Sequence, residues 1–179
     1  MQHTNLRNLL LAALSLALCM VLPFLTLQLP AFGSALLPMH LPVLLCGFIC
    51  GPVLGLTVGA IAPVLRSVTL GAPPMPAAIA MTFELAVYGL LAGLFYRLFP
   101  KKIGFVYLSL ILAMIGGRIT WGAASYLIYG FGETTFTFEA FIGGAVVNAL
   151  PGIILQIVLI PLIVIALDRA KLLNESASA

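Results

Sequence analysis

Long apolar runs, punctuated by short clusters of proline, glycine and charge, set the layout of this chain. A helix needs about 20 mostly apolar residues to cross a bilayer at 1.5 Å rise per residue. Residues 9–29, 77–98, 104–128 and 141–167 meet that requirement. The first contains Pro23 as an expected kink and follows Arg7, as the apolar core of a signal peptide would. It is too long for one, and no small-residue cleavage site leading into a polar mature chain follows, so it reads as a span. Residues 35–70 admit two readings. Taken whole, they give five crossings. Broken at Gly51-Pro52, where proline cannot continue the helical ladder and glycine permits a turn, they give short spans at 35–51 and 52–70 and six crossings.

Charge placement favours six, because cytoplasmic loops collect Lys and Arg. With both ends cytoplasmic, Arg7, Arg97, Lys101, Lys102, Arg169 and Lys171 all fall inside. Arg66 then lies in the outer last turn of the third span and Arg118 within the fifth. The outer loops are expected at 30–35, 71–76 and 130–137, rich in proline or in glycine and threonine. Such restricted turns suit the cover of a site. The polar tail 174–179 is expected to fray. The expected fold is an all-α integral membrane protein of six transmembrane helices, both termini cytoplasmic, with residues 1–179 forming one transmembrane domain.

Composition narrows the class further. The chain of 179 residues is 63% hydrophobic and 7% charged, with a mean hydropathy of +1.22. A soluble domain carries about 25% charged residues to wet its surface. A soluble enzyme, a nucleic-acid binder and a disordered chain are all excluded. The net charge of +3 is too small to imply an anionic partner. Cys46 and Cys50 stand one helical turn apart with Cys19 elsewhere, and no His or acidic residue sits at ligand spacing beside them. They read as small packing residues. Neither a metal nor a cofactor is expected.

Helices in lipid associate through small residues. Gly47, Gly51, Gly55 and Gly59 recur every four positions, Gly89 and Gly93 do the same, and Gly116-Gly117 and Gly143-Gly144 add further points of close approach. All are expected to pack helices within the chain. Ala13 and Ala17, with Ser15 between, form another such pair. The residues alone leave open whether it packs internally or offers a smooth patch to another subunit.

Ionisable groups at membrane depth cost at least a few kcal/mol and usually mark function. Glu84, Arg118 and Asn148 fall on three different spans, each about 10–15 Å below the outer surface at 1.5 Å per residue. An acid, a cation and an amide thus converge on one level. Glu84 and Arg118 could instead form an ion pair that braces the bundle. Trp121 is three residues after Arg118, on nearly the same face. Tyr88 lies one turn below Glu84 and Tyr126 two turns above Arg118. Aromatic side chains beside a polar pocket suit a flat or ring-bearing solute, although each could serve packing alone. Arg66 and His40, at outer span ends, are candidates for the same pocket or for snorkelling to the headgroups. Glu133 and Glu139 mark the outer mouth, and Gln156 is expected to make an interhelical hydrogen bond. No nucleophile–base–acid set and no phosphate-binding loop of the Walker type exist. The inner halves of the spans are almost purely aliphatic. The result is an outward-facing polar cup on a sealed base, which binds a solute but does not by itself move it.

Taken together, several stretches resemble the substrate-binding (S) components of energy-coupling factor (ECF) transporters. They are Pro38-Met-His-Leu-Pro-Val-Leu-Leu-Cys-Gly-Phe-Ile-Cys-Gly-Pro-Val-Leu-Gly, Pro63-Val-Leu-Arg, Gly71-Ala-Pro-Pro-Met-Pro and Phe83-Glu-Leu-Ala-Val-Tyr-Gly-Leu-Leu-Ala-Gly, followed by Gly117-Arg-Ile-Thr-Trp and Asn148-Ala-Leu-Pro-Gly-Ile-Ile-Leu-Gln. The resemblance runs from about residue 5 to 167. It implies a six-helix bundle with cytoplasmic ends and a vitamin site near the outer surface. That site would be built from the fourth to sixth helices, where Glu84, Arg118, Trp121 and Asn148 fall, and capped by the first, third and fifth loops. It implies that Ala13 and Ala17, matching an Ala-xxx-Ala pattern of the family, dock on a coupling membrane subunit. Two ATPase subunits bound to that subunit would supply the energy, and the S component would topple in the membrane to deliver its ligand. The chain itself would not be an enzyme.

The resemblance does not name the vitamin. Arg118 favours a carboxylate such as pantothenate or niacin. Glu84 favours a pyridoxine-like or pyrimidine compound, which is placed second. Two rival classes remain: a self-sufficient secondary carrier or channel for a small polar solute, and a structural membrane protein with no ligand.

Overall fold

The structure is a computed structural model, described over residues 2–27, 35–130 and 137–170, with only the backbone described at 2–5 and 26–27. The loop expected at 30–35 lies outside the described residues except for Ala35, and that expected at 130–137 except for its ends. Glu133, Lys171 and the 174–179 tail lie outside them as well.

All regular structure among the described residues is helical. The elements are α1 (Gln2–Leu27), α2 (His40–Cys50), α3 (Pro52–Leu70), α4 (Met75–Leu98), α5 (Ile103–Tyr129), α6 (Phe138–Ile142), a π-helical turn (Gly143–Val147) and α7 (Leu150–Arg169). Five segments are long and apolar enough to cross a membrane: α1, α3, α4, α5 and the composite 138–169. With α2 beside them, the chain is a bundle of five to six candidate spans and a multi-pass membrane protein.

The break at Gly51-Pro52 is present. Gly51 takes φ 95°, closed to most side chains, and donates its N–H to the Gly47 carbonyl at 3.0 Å, while Pro52 opens α3. Gly71 ends α3 in the left-handed conformation at φ 69°. Two expectations need correction. The second span is not a helix over 35–51. Residues 35–39 form turns, and α2 has 11 residues, about 16 Å of helix against a hydrocarbon core of about 30 Å. The last span is not one continuous helix either. Pro151 sits in the first turn of α7 and can donate no backbone hydrogen bond. Just before it the ladder widens, and the Asn148 N–H reaches back five residues to the Gly143 carbonyl at 2.8 Å.

The tightest packing joins α2 and α3 to α4 through glycine. A Cβ at Gly55 would stand 2.6 Å from the Gly89 carbonyl oxygen, and one at Gly47 would stand 2.5 Å from the same atom. The backbones touch, and only glycine permits it. α5 packs broadly on α4, whereas α7 contacts α5 and α2 only sparsely. α1 rests on α2 and α3 with most of its surface exposed.

Candidate solute-binding site

Glu84 lies nine residues from the N-terminal end of α4, and Arg118 lies eleven residues from the C-terminal end of α5. At 1.5 Å per residue those depths are about 14 and 17 Å. Arg118 Nη1 stands 3.0 Å from Glu84 Oε1, and His40 Nε2 stands 3.2 Å from the same oxygen. His40 and Glu84 are each 1% exposed. An isolated carboxylate in this setting would cost several kcal/mol, and the neighbouring Arg118 guanidinium offsets that cost. His40 does not snorkel to the headgroups. As the first residue of α2 it turns inward, its ring edge-on to Tyr88 with centroids 5.2 Å apart and planes at 81°. Ala80, Glu84 and Tyr88 recur every four residues along one buried face of α4. Tyr88 lies flat on Gly117 of α5, where a Cβ would come within 2.5 Å of its ring.

Arg118 uses only one of its nitrogens on Glu84. Its Nε and Nη2 are buried without a hydrogen-bond partner of good geometry, as are both ring nitrogens of His40, Glu84 Oε1 and the Tyr88 hydroxyl, so the contacts of Glu84 with His40 and Arg118 are ion-pair distances and not hydrogen bonds. Nε and Nη2 form the side-on fork of the guanidinium, the edge that matches a carboxylate with two parallel hydrogen bonds.

Glu84 and Arg118 line a cavity of about 520 Å³ together with Trp121, Asn148, Leu37 and Met81. Such a volume suits a small organic solute. Trp121 is held as one wall. A Cβ at Gly144 would be 2.6 Å from its ring, and Phe141 stacks against it at 6.3 Å and 27°. Asn148 ends the widened turn with its side chain exposed. The structure therefore brings Glu84, Arg118, Trp121 and Asn148 to one cavity and sets His40 directly behind Glu84. Tyr88 lies on the far side of Arg118, against a second, apolar cavity.

Leu37 and Met81 did not stand out in the sequence, being two apolar residues among many. Leu37 has φ 50°, in the left-handed region, within a segment pinned to α7 by the Gly152 N–H, which donates to the Ala35 carbonyl at 2.9 Å. Gly152 admits that approach because a Cβ there would meet the same oxygen at 2.7 Å. A Pro-Gly pair opening α7 was the only hint.

Arg66 is not in this cavity. It is 3% exposed, donates from Nη1 to the Met20 carbonyl at 2.7 Å and lies 5.0 Å from the centre of the Phe24 ring. That carbonyl is next to Cys19, whose own i+4 donor is missing because Pro23 has no N–H. Arg66 ties α3 to the kinked part of α1 and neither snorkels nor reaches the site. Gln156 is fully buried, yet neither of its amide atoms has a hydrogen-bond partner, so the expected interhelical bond is not made. Glu139 is exposed in the first turn of α6, and Tyr126 is 58% exposed near the C-terminal end of α5. Ala13 and Ala17 face outward on α1, while Ser15 turns its hydroxyl back to the Leu11 carbonyl at 2.8 Å. Among the described residues, no group of three His, Cys, Asp or Glu side chains could hold a metal ion.

Searches of curated proteins and of solved structures return no match to the chain. The family model described as ECF transporter, substrate-specific component, matches residues 7–164, nearly the whole chain and every element that builds the cavity. A helical membrane bundle with a polar cavity between its helices fits that match, and the chain belongs to the family of substrate-specific components of ECF transporters.

Proposed function

We propose that this S component captures a small water-soluble vitamin or vitamin precursor bearing a carboxylate, in the cavity between α4, α5 and the π-turn. As a member of its family, the chain serves vitamin uptake by binding its solute without transforming it. The family implies a coupling membrane subunit and ATPase subunits as partners, the latter supplying ATP hydrolysis.

One observation carries the carboxylate preference. The Nε–Nη2 edge of Arg118 is buried and without a partner, in a residue that lines the cavity. Leaving such donors unmet costs about 1–3 kcal/mol, and more for a charged group. A ligand carboxylate would satisfy both at once. Glu84 and His40 then orient the guanidinium, Trp121 offers a face for a ring, and Asn148 supplies a neutral donor and acceptor. A second reading rests on charge balance. Glu84 already neutralises Arg118, which suits an uncharged pyridoxine-like or pyrimidine compound hydrogen-bonded between them.

The exposure of Ala13 and Ala17 supports docking of the coupling subunit on α1. The gathering of Lys101, Lys102 and Arg169 around one pocket of the bundle supports cytoplasmic ends by the positive-inside rule. Membership in an ATP-coupled family speaks against a self-sufficient carrier.

The test is a thermal-shift screen of the detergent-purified chain against single vitamins and precursors. A ligand that binds only the native state stabilises it by about 2.7 kcal/mol at a hundredfold excess over Kd. The expected hit is a carboxylate whose shift is lost in Arg118→Lys, which keeps the charge and removes the fork. A hit confined to uncharged ring compounds would favour the second reading. No shift with any vitamin at concentrations well above micromolar would overturn the proposal.

A further inference from the structure

The polar cavity occupies the N-terminal halves of α4 and α7 and the C-terminal half of α5. At the opposite ends of these three helices lies a smaller pocket of about 110 Å³. Buried Val106 and Val164 line its inner side, and Lys101, Lys102, Asp168 and Arg169 line its outer one. Small-molecule pockets run upward from about 300 Å³, so this one admits a charged headgroup and not a vitamin-sized solute. Its residues converge for local reasons. Proline at position 100 cannot continue α4, which places Lys101 and Lys102 in the short turn before α5, while Arg169 ends α7. Lys101 Nζ lies 4.9 Å from the centre of the Tyr96 ring, and that ring is fixed edge-on against Phe48 at 5.3 Å.

Three cations therefore face one acid, and they do not neutralise one another. Among the described residues, no ion pair joins Lys101, Lys102, Asp168 or Arg169 to any partner. Lys102 is the N-cap of α5, no side chain caps that helix end, and its first turn holds no acid. The free N–H groups there add partial positive charge to that of the side chains. Orientation by the positive-inside rule needs cations near helix ends but no pocket between them. We infer that this pocket holds the headgroup of an anionic phospholipid, its phosphate set among Lys101, Lys102, Arg169 and the start of α5. Basic pockets between membrane helices take such headgroups. A hydroxyl on the headgroup can donate to Asp168. Ile103, 54% exposed, and half-buried Ile165 also line the pocket and continue it as an apolar surface for the acyl chains. A zwitterionic lipid carries no net charge and would leave the excess of cations unmet.

The probes are dioleoyl phosphatidylglycerol, dioleoyl phosphatidylethanolamine and glycerol 3-phosphate. Each is titrated into the detergent-purified full chain, and the bound fraction is read by native mass spectrometry. Phosphatidylglycerol is expected to bind at least tenfold more tightly than phosphatidylethanolamine, and glycerol 3-phosphate more weakly than either. A basic residue near an anionic lipid contributes about fivefold in affinity. Lys102→Gln and Arg169→Gln should each weaken phosphatidylglycerol by about that factor and leave phosphatidylethanolamine unchanged. Arg97→Gln is the control. Its guanidinium lies against Gly51 and not in the pocket, so its loss removes a charge from the same end of the bundle without changing the affinity. The wild-type comparison stands by itself should a variant fail to fold. Equal affinity for the two lipids would overturn the inference. So would an equal loss in Arg97→Gln, which would mean diffuse attraction and no site. Binding of glycerol 3-phosphate as tight as that of phosphatidylglycerol would overturn the lipid assignment and give the pocket to a soluble phosphate ester.

Discussion

Arg118 on α5 meets Glu84 on α4 through a single nitrogen, Nη1, at 3.0 Å, and its opposite edge is left without a partner. A purely structural ion pair at this depth would be stronger with both of the arginine's available edges satisfied. Here the pair braces two helices, and both residues line one cavity.

Glu84→Gln should destabilise the chain markedly. It leaves Arg118 buried against a neutral amide, and breaking one side of a buried pair costs about 3–5 kcal/mol. The double variant Glu84→Gln/Arg118→Met should lose less than the sum of the two single losses, because neither charge is then orphaned. Thermal denaturation of the four proteins in one detergent checks this. Additive losses would mean that the two side chains do not interact.

Gly144→Val should weaken ligand binding more than it weakens the fold. The added Cβ would fall 2.6 Å from the Trp121 ring, so that ring, which lines the cavity, must shift. A tenfold or greater rise in Kd, corresponding to about 1.4 kcal/mol, is expected with a modest fall in melting temperature. An unchanged Kd would remove Trp121 from the ligand's surroundings.

Arg66→Met should leave ligand affinity unchanged and lower stability. The substitution removes a charge-assisted hydrogen bond to the Met20 carbonyl, worth about 1.5–3 kcal/mol, and the cation–ring contact with Phe24. The paired measurement of Kd and melting temperature distinguishes this from a site residue, whose replacement would change Kd.

Ala13→Trp and Ala17→Trp should abolish ATP-driven uptake and preserve ligand binding. Both residues face outward on α1, far from the cavity-lining positions, and a bulky ring on a small-residue surface blocks close helix approach. Liposomes containing the full transporter, compared with ligand binding by the isolated chain, provide the check. Wild-type uptake by both variants would move the docking surface elsewhere.

The membrane class, the helices and the depth of the polar residues are determined by sequence alone, because each depends on a local quantity. An apolar run of sufficient length has no alternative in water, and proline and glycine break a helix wherever it packs. Glu84, Arg118, Trp121 and Asn148 were legible for the same reason. They are conspicuous against hydrocarbon, and counting 1.5 Å per residue sets their level. What counting cannot supply is direction around each helix axis. His40 and Arg66 occupy similar positions at span ends, yet one turns to Glu84 and the other to the Met20 carbonyl of α1. That difference arises from the rotation of α2 and α3 against their neighbours, set by glycine contacts between elements distant in the chain. The shortened α2, the pinned segment at Ala35–Leu37 and the π-turn likewise depend on which elements meet across the bundle, and only the assembled bundle decides which partner is within reach.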